Sequence, residues 1–167
     1  MDATRTTEAT AERTSDRELV VSRTINGPAR IVFDAWTRPE LFQRWWVPKS
    51  FPITLLSCEL DVRVGGAYRL EMGYQGSTME FFGRYLEVTP PARLVWTNDE
   101  DPAAPVTTVT FEETNGRTTV NVHEEYPSGE ALDEAIASGS SGMSAMPESL
   151  AQLDDLLATM DAGNASS

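Results

Sequence analysis

The sequence predicts an α+β fold in which a seven-stranded antiparallel sheet is partnered by a long C-terminal helix, and three observations carry that expectation. Between residues 52 and 125, strand-length segments follow one another with turn residues and no helical run between them. The breaks have mechanisms: Gly65-Gly66 and Gly76 permit positive φ, Pro90-Pro91 cannot donate to a ladder, and Asn115-Gly116 is the strongest hairpin signal in the chain. From residue 143, Met143, Met146, Leu150, Leu153, Leu157 and Met160 recur at alternating steps of three and four, which keeps them on one helical seam.

The first strand begins near Arg17, where Leu19, Val21, Arg23 and Ile25 alternate with Val20, Ser22 and Thr24 at the period of a pleated strand. Asn26-Gly27-Pro28 ends it, and Pro28 opens a helix over residues 28–37 because a first-turn residue needs no N–H. Pro39 starts a second, shorter helix carrying Leu41, Phe42, Trp45 and Trp46. Six strands follow over residues 52–62, 66–74, 77–88, 92–98, 105–114 and 117–125. In the second of these, Tyr68, Leu70, Met72 and Tyr74 share one face and Arg69 and Glu71 the other. The last third reads as two helical pieces around the SGSSG of residues 138–142. The second piece is expected to begin near Ser144, so that Pro147 falls in its first turn, where no internal donor is lost. A helix of about 15 residues spans roughly 22 Å, enough to lie across the sheet. Residues 17–160 therefore form one domain, flanked by an N-terminal tail over 1–16 and a C-terminal tail over 161–167, both expected to be disordered.

Composition removes several function classes. With 26 acidic against 13 basic residues the formal charge is -13, which repels a phosphate backbone or an anionic lipid surface, so neither nucleic acid nor membrane insertion is expected. Cys58 and His123 are the sole cysteine and histidine, so no internal disulfide and no Cys/His metal cage can form, and no cofactor is implied. Asn98-Asp99-Glu100-Asp101 offers oxygen ligands but lacks the glycine and distal glutamate of a calcium loop, and reads as a solvated hairpin. The absence of an apolar run in the first residues fits a cytoplasmic protein.

The order of elements, with TRPELFQRWWVP at residues 37–48, DVRVGGAYRLEM at 61–72, GRYLEVTPPARLVWT at 83–97 and SLAQLDDLL at 149–157, resembles the activator of heat-shock-protein-90 ATPase homologues of the START-like, or SRPBCC, superfamily. The resemblance covers about residues 17–160. It implies a helix-grip fold of the START/Bet v type, with a hydrophobic cavity between a curved sheet and the long helix.

Candidate residues follow from strand parity and that resemblance. Trp45 and Trp46 either pack in the core or offer indole faces to a ligand. Tyr68, Met72, Phe82 and Trp96 are the candidate lining from the sheet, and Met143, Met146 and Leu150 from the helix. The helical seam is needed for docking with or without a ligand, but methionine suits an irregular apolar space. In the last strand Thr118, Val120, Val122 and Glu124 share a face, so Glu124 either enters the cavity or ends the strand in water. Cys58, alternating with Leu56 and Leu60, reads as a small buried hydrophobe, and His123 faces away from the cavity. The expected function is non-enzymatic binding of a small hydrophobic or aromatic molecule, for transport, sequestration or sensing, and it calls for a void of roughly 300 Å³. Two alternatives stand beside it: a chaperone-interacting module, and a cyclase- or hydrolase-like enzyme with Glu124 or Tyr68 as the acid–base group.

Overall fold

The structure, a computed structural model, describes residues 10–139 and 142–166, with side chains described over 10–139 and 145–160. The elements are β1 (Thr10–Arg13), β2 (Glu18–Ile25), α1 (Ala29–Thr37), α2 (Pro39–Phe42), β3 (Thr54–Leu60), β4 (Ala67–Tyr74), β5 (Ser77–Thr89), β6 (Arg93–Trp96), β7 (Val106–Thr114), β8 (Arg117–Glu125), α3 (Gly129–Ser138) and α4 (Gly142–Ser166). All eight strands form one antiparallel sheet in the order β1-β2-β8-β7-β6-β5-β4-β3.

The seven expected strands are present, and β1 is the eighth. It lies in the segment expected to be a tail and pairs with β2 from Thr10↔Ser22 to Arg13↔Leu19. Its four residues are all exposed, so no hydrophobic alternation marks it in the sequence. Asn115 and Gly116 both have positive φ, 55° and 79°, and join β7 to β8 as the hairpin signal predicts.

Two registers slip, between Leu55 and Ser57 in β3 and between Tyr85 and Glu87 in β5. Each bulge turns a leucine, Leu56 or Leu86, out to solvent, and each bends its strand. The bulge in β3 corrects the alternation expected there. Leu56 is 55% exposed, while Leu55, Cys58 and Leu60 pair with the inward Met72, Leu70 and Tyr68.

The expected division into two helices is present: α3 ends at Ser138, with Gly139 capping it in the left-handed conformation, and the C-terminal helix is α4. It begins at Gly142, two residues before the expected start, which puts Pro147 inside it, and it continues to Ser166, through the segment expected as a tail. Leu150, Leu153 and Leu157 of its seam are almost fully buried, and Leu156 joins them. Burying such side chains contributes about 1.5–3 kcal/mol each, enough to dock the helix. Arg23, on the inward face of β2, meets Asp154 of α4 at 3.2 Å, and the other oxygen of Asp154 accepts from the Asn26 backbone N–H.

Candidate functional site: the cavity under the C-terminal helix

A cavity of about 260 Å³ lies between the concave face of the sheet, the α1–α2 region and the first turns of α4. This is a little below the roughly 300 Å³ expected from the sequence. A cavity of roughly 150 Å³ holds benzene, so the space suits a compound of two or three rings rather than a long lipid.

The sheet supplies its floor through register. Tyr85 of β5 pairs with Trp96 of β6, Trp96 with Thr107 of β7, and Thr107 with Glu124 of β8. These four side chains form one row across four strands, and all four line the cavity. Beside the row, the inward residues Tyr68, Leu70 and Met72 of β4 continue the wall, and opposite Leu70 on β5 stands Phe81. The roof comes from α4, where Ala145, Met146 and Ser149 face the space. One side is closed by residues 46–53, a strap with Trp46, Val47, Pro48, Phe51 and Ile53 turned inward.

That strap is fastened by polar side chains of α4 lying beside its apolar seam. The Ser149 hydroxyl donates to the Trp46 carbonyl at 2.7 Å, and the Gln152 amide donates to the carbonyls of Trp45 and Val47 at 2.9 Å. The Gln152 oxygen accepts from the Lys49 N–H, and Glu148 accepts from the Ser50 N–H and hydroxyl. The Ser50 hydrogen bonds hold the Glu148 carboxyl below the usual carboxylate range. The sequence marks these residues only as lying off the seam, because a polar residue that ties a loop has the same pattern as one that faces water.

Of the sequence candidates, Trp46, Tyr68, Met72, Trp96, Glu124 and Met146 meet at the cavity. Trp45 does not: it is fully buried, and its indole N–H donates to the Ala35 carbonyl at 2.9 Å. The reason is local. The chain leaves α1 at Arg38 in an extended conformation and the next residue is Pro39, so no helical N–H reaches Ala35, and the Trp45 indole takes that place. Phe82 is 40% exposed and opposes Arg69 on the outer face, so Phe81 lines the cavity instead. Leu150 is fully buried core outside the lining, and the side chain of Met143 lies outside the described residues.

The polar groups gather along the row. The Tyr68 hydroxyl lies 2.7 Å from the Thr97 carbonyl and 3.0 Å from the Asn98 side-chain oxygen. The Asn98 amide donates to the Pro105 carbonyl and to the Thr107 hydroxyl. Glu124 accepts from the Tyr126 hydroxyl at 3.0 Å. Burial pushes the Tyr68, Tyr85 and Tyr126 hydroxyls well above the ordinary phenol range, so all three are neutral at physiological pH. Burial also raises the Glu100 carboxyl, which accepts from the Phe82 N–H at the rim.

Cys58 and His123 stand five strand spacings apart in the sheet. His123 bonds Glu18 at 2.8 Å on the far face, which lowers the Glu18 carboxyl, and burial pushes the Cys58 thiol up to about 11. Among the described residues no group of three or more His, Cys, Asp or Glu is placed to hold a metal, and no helix is long and apolar enough to cross a membrane.

A large antiparallel sheet closed over a C-terminal helix, with a cavity between them, defines a START-like protein of the helix-grip class. Solved structures share this architecture. The protein NE0264 from Nitrosomonas europaea superposes with a TM-score of 0.77 at 24% identity over 87% of this chain and 96% of that one. A protein from Rhodobacter sphaeroides gives 0.80 at 25% identity over 91% and 99%, and an AHSA1-like protein from Aeromonas hydrophila gives 0.66 at 19% over 85% and 94%. The chain belongs to the family described as Activator of Hsp90 ATPase homolog 1-like protein, whose model matches residues 26–158. No curated protein matches the sequence significantly.

Proposed function

We propose that this protein binds a small, largely apolar, ring-containing molecule in the cavity between the sheet and α4, and that it acts by carrying, sequestering or sensing that molecule. The observation that carries this reading is the cavity of about 260 Å³ walled by Trp36, Trp46 and Trp96. Rigid aromatic walls with a few converging polar groups are the usual make-up of small-molecule sites. The strap and α4 supply a way in, since the bonds between Glu148 and Ser50 are solvent-exposed and can open without disturbing the buried seam.

The test is titration with the neutral fluorophore N-phenyl-1-naphthylamine, followed by its emission and by quenching of tryptophan fluorescence. Saturable binding is expected, and at 100 times its dissociation constant the probe adds about 2.7 kcal/mol of stability. For a chain of this size that is a rise in Tm of roughly 5–10 °C. Ala145→Phe, which places a ring in the void, is expected to weaken the probe at least tenfold while leaving Tm unchanged or higher. An Ala145→Phe protein that folds and binds the probe as before would refute the site. The family description names an activator of the Hsp90 ATPase, and a chaperone contact is the second reading. Stimulation of a chaperone ATPase by a protein that takes up no probe would favour it.

A further inference from the structure

The hydrogen-bond donors of the cavity wall fall into two groups. Some are spent on the wall itself: the Tyr68 hydroxyl meets the Thr97 carbonyl and Asn98, the Asn98 amide donates to the Pro105 carbonyl and the Thr107 hydroxyl, and the Ser149 hydroxyl donates to the Trp46 carbonyl. Others have no acceptor in the protein. The Trp36 indole N–H is buried without a partner, and neither the Trp46 indole N–H nor the Tyr85 hydroxyl makes a hydrogen bond among the described residues.

These three differ in what can reach them. The Trp36 nitrogen is closed off from water, while Trp46 is half-buried on a strap whose Lys49 and Ser50 are exposed, so water can serve its N–H. Tyr85 is a different case. The residue is 4% exposed, yet its hydroxyl oxygen is not sealed as the Trp36 nitrogen is, and the space it borders is the cavity. It stands in the floor row opposite Trp96, with its ring centroid 6.5 Å from that indole and 5.9 Å from the Tyr68 ring. Burial holds the phenol protonated, with Cys58 and Asp61 adding to the effect, and neither of those groups bonds it. A hydroxyl so buried, with no acceptor in the protein, depends on what enters the cavity.

That dependence defines the ligand. A phenol O–H calls for an acceptor such as a carbonyl or ether oxygen. A pure hydrocarbon would displace water and leave the donor unpaired, whereas an oxygen at that point replaces the lost bond. A carboxylate also accepts, but it would bring a charge into a low-dielectric space whose wall has no Lys, Arg or His among the described residues, in a chain of formal charge -13. We propose that Tyr85 is the side chain that recognises the ligand, donating its hydroxyl proton to a carbonyl or ether oxygen of a neutral ring compound whose body lies against Trp96. The inference rests on the binding role proposed above and goes further by naming the ligand's polar group and the residue that reads it.

The test pairs 1-acetonaphthone with 1-isopropenylnaphthalene, which keeps the shape and has a methylene in place of the carbonyl oxygen. Each competes against N-phenyl-1-naphthylamine at pH 7, in the parent and in Tyr85→Phe, and the ratio of the two affinities cancels the difference in their own hydrophobicity. That ratio, ketone over hydrocarbon, is expected to fall at least fivefold in Tyr85→Phe, because the variant strands the ketone oxygen and spares the hydrocarbon an unpaired donor. Tm is expected to stay the same or rise, since the hydroxyl has no bond to lose inside the protein. In the parent, 1-naphthoate is expected to bind at least tenfold more weakly than the ketone, and the infrared carbonyl stretch of bound 1-acetonaphthone to lie below its frequency in hexane. A ratio that falls less than fivefold, or a carbonyl stretch at the hexane value, overturns the assignment of Tyr85. So does a variant that fails to fold or loses more than about 4 °C in Tm, since the hydroxyl would then be bonded within the protein. Naphthoate within tenfold of the ketone overturns the neutral class. Failure of N-phenyl-1-naphthylamine to bind the parent overturns the binding role instead.

Discussion

Trp45 and Trp46 are neighbours in sequence with opposite roles, and substituting each by phenylalanine separates stability from binding. Trp45 is fully buried, touches Trp36 and Phe42 with ring centroids 4.7 and 5.6 Å away, and donates its indole N–H to Ala35. Trp45→Phe removes that donor and leaves a buried carbonyl unpaired, which costs about 1–3 kcal/mol. The smaller ring also leaves a void, worth roughly a further 1 kcal/mol given that removing a whole buried aromatic costs about 3–5. The sum, about 2–4 kcal/mol, corresponds to a fall in Tm of roughly 4–16 °C for a chain of this size. Trp46 is half-buried, and its indole N–H makes no hydrogen bond among the described residues. Trp46→Phe is therefore expected to cost under about 1 kcal/mol, in the range of a volume-reducing change at a site that already borders empty space.

Ligand affinity reverses the order. Trp46 is stacked on Phe42 at 4.6 Å and turns toward the cavity, so Trp46→Phe is expected to weaken N-phenyl-1-naphthylamine by threefold to tenfold, against a change under twofold for Trp45→Phe. Urea unfolding followed by circular dichroism gives the stabilities, and probe titration well below each Tm gives the affinities. Equal stability losses in the two variants, or a Trp45→Phe protein of unchanged stability, would refute the assignment of the Trp45 N–H to the open end of α1.

Four further outcomes follow from the same coordinates. Leu150→Ala, at a fully buried position of α4 outside the cavity lining, is expected to cost about 2–5 kcal/mol in urea unfolding. In Gly83→Ala the new methyl would stand 2.1 Å from the Thr97 carbonyl oxygen, the same oxygen that meets the Tyr68 hydroxyl, so a loss of more than about 2 kcal/mol and weaker probe binding are expected together. With its thiol raised to about 11 against an ordinary value near 8.5, native Cys58 should react with a disulfide reagent at pH 8 on the order of 100-fold more slowly than in urea. Glu148 has a lowered carboxyl pKa, so the stabilisation from its bonds to Ser50 is complete above the unfolded value near 4.3 and is lost as pH falls through the lower folded value. Hydrogen exchange at the Ser50 amide, relative to its intrinsic rate, is expected to speed up below about pH 4 and to be already fast in Glu148→Ala at neutral pH.

The fold was legible because hydrophobic period and turn chemistry act locally. β4, with Tyr68, Leu70 and Met72 buried and Arg69 exposed, follows its alternation without a slip. The cavity was legible only in part, and each miss has a physical cause. Phe81 and Phe82 are adjacent and equally apolar, so neither declares its face; the signal that decides is Glu80 and Arg84, which share the parity of Phe82 and mark that side as wet. Parity also failed in β3, where the bulge at Leu56 inserts one residue and reverses the faces beyond it, and bulges leave no reliable mark when no glycine is used. Trp45 was drawn toward the site by its composition, whereas its role comes from a hydrogen bond ten residues back along the chain. The row that joins Tyr85 to Glu124 could not be read at all, since it depends on the register of four strands at once.

That register, together with a division along α4, accounts for a cavity that does not close on itself. The later turns of the helix carry Leu150, Leu153 and Leu157, which are buried and anchor it, while Arg23 and Asp154 fix its position on β2. Its earlier turns carry Ala145, Met146 and Ser149 over the row of Tyr85, Trp96, Thr107 and Glu124, and here the contact is with the strap rather than with the floor. Hydrogen bonds from Glu148, Ser149 and Gln152 to the backbone of residues 46–50 therefore hold this end of the helix at a height set by bond lengths, not by how closely apolar side chains can approach. Below it the indoles of Trp36 and Trp45 are braced edge to face, so they cannot swing in to fill the gap without losing those contacts. A helix anchored by leucines at one half and suspended by polar bonds at the other leaves room for a ligand under the suspended half, and that is where Met146 is found.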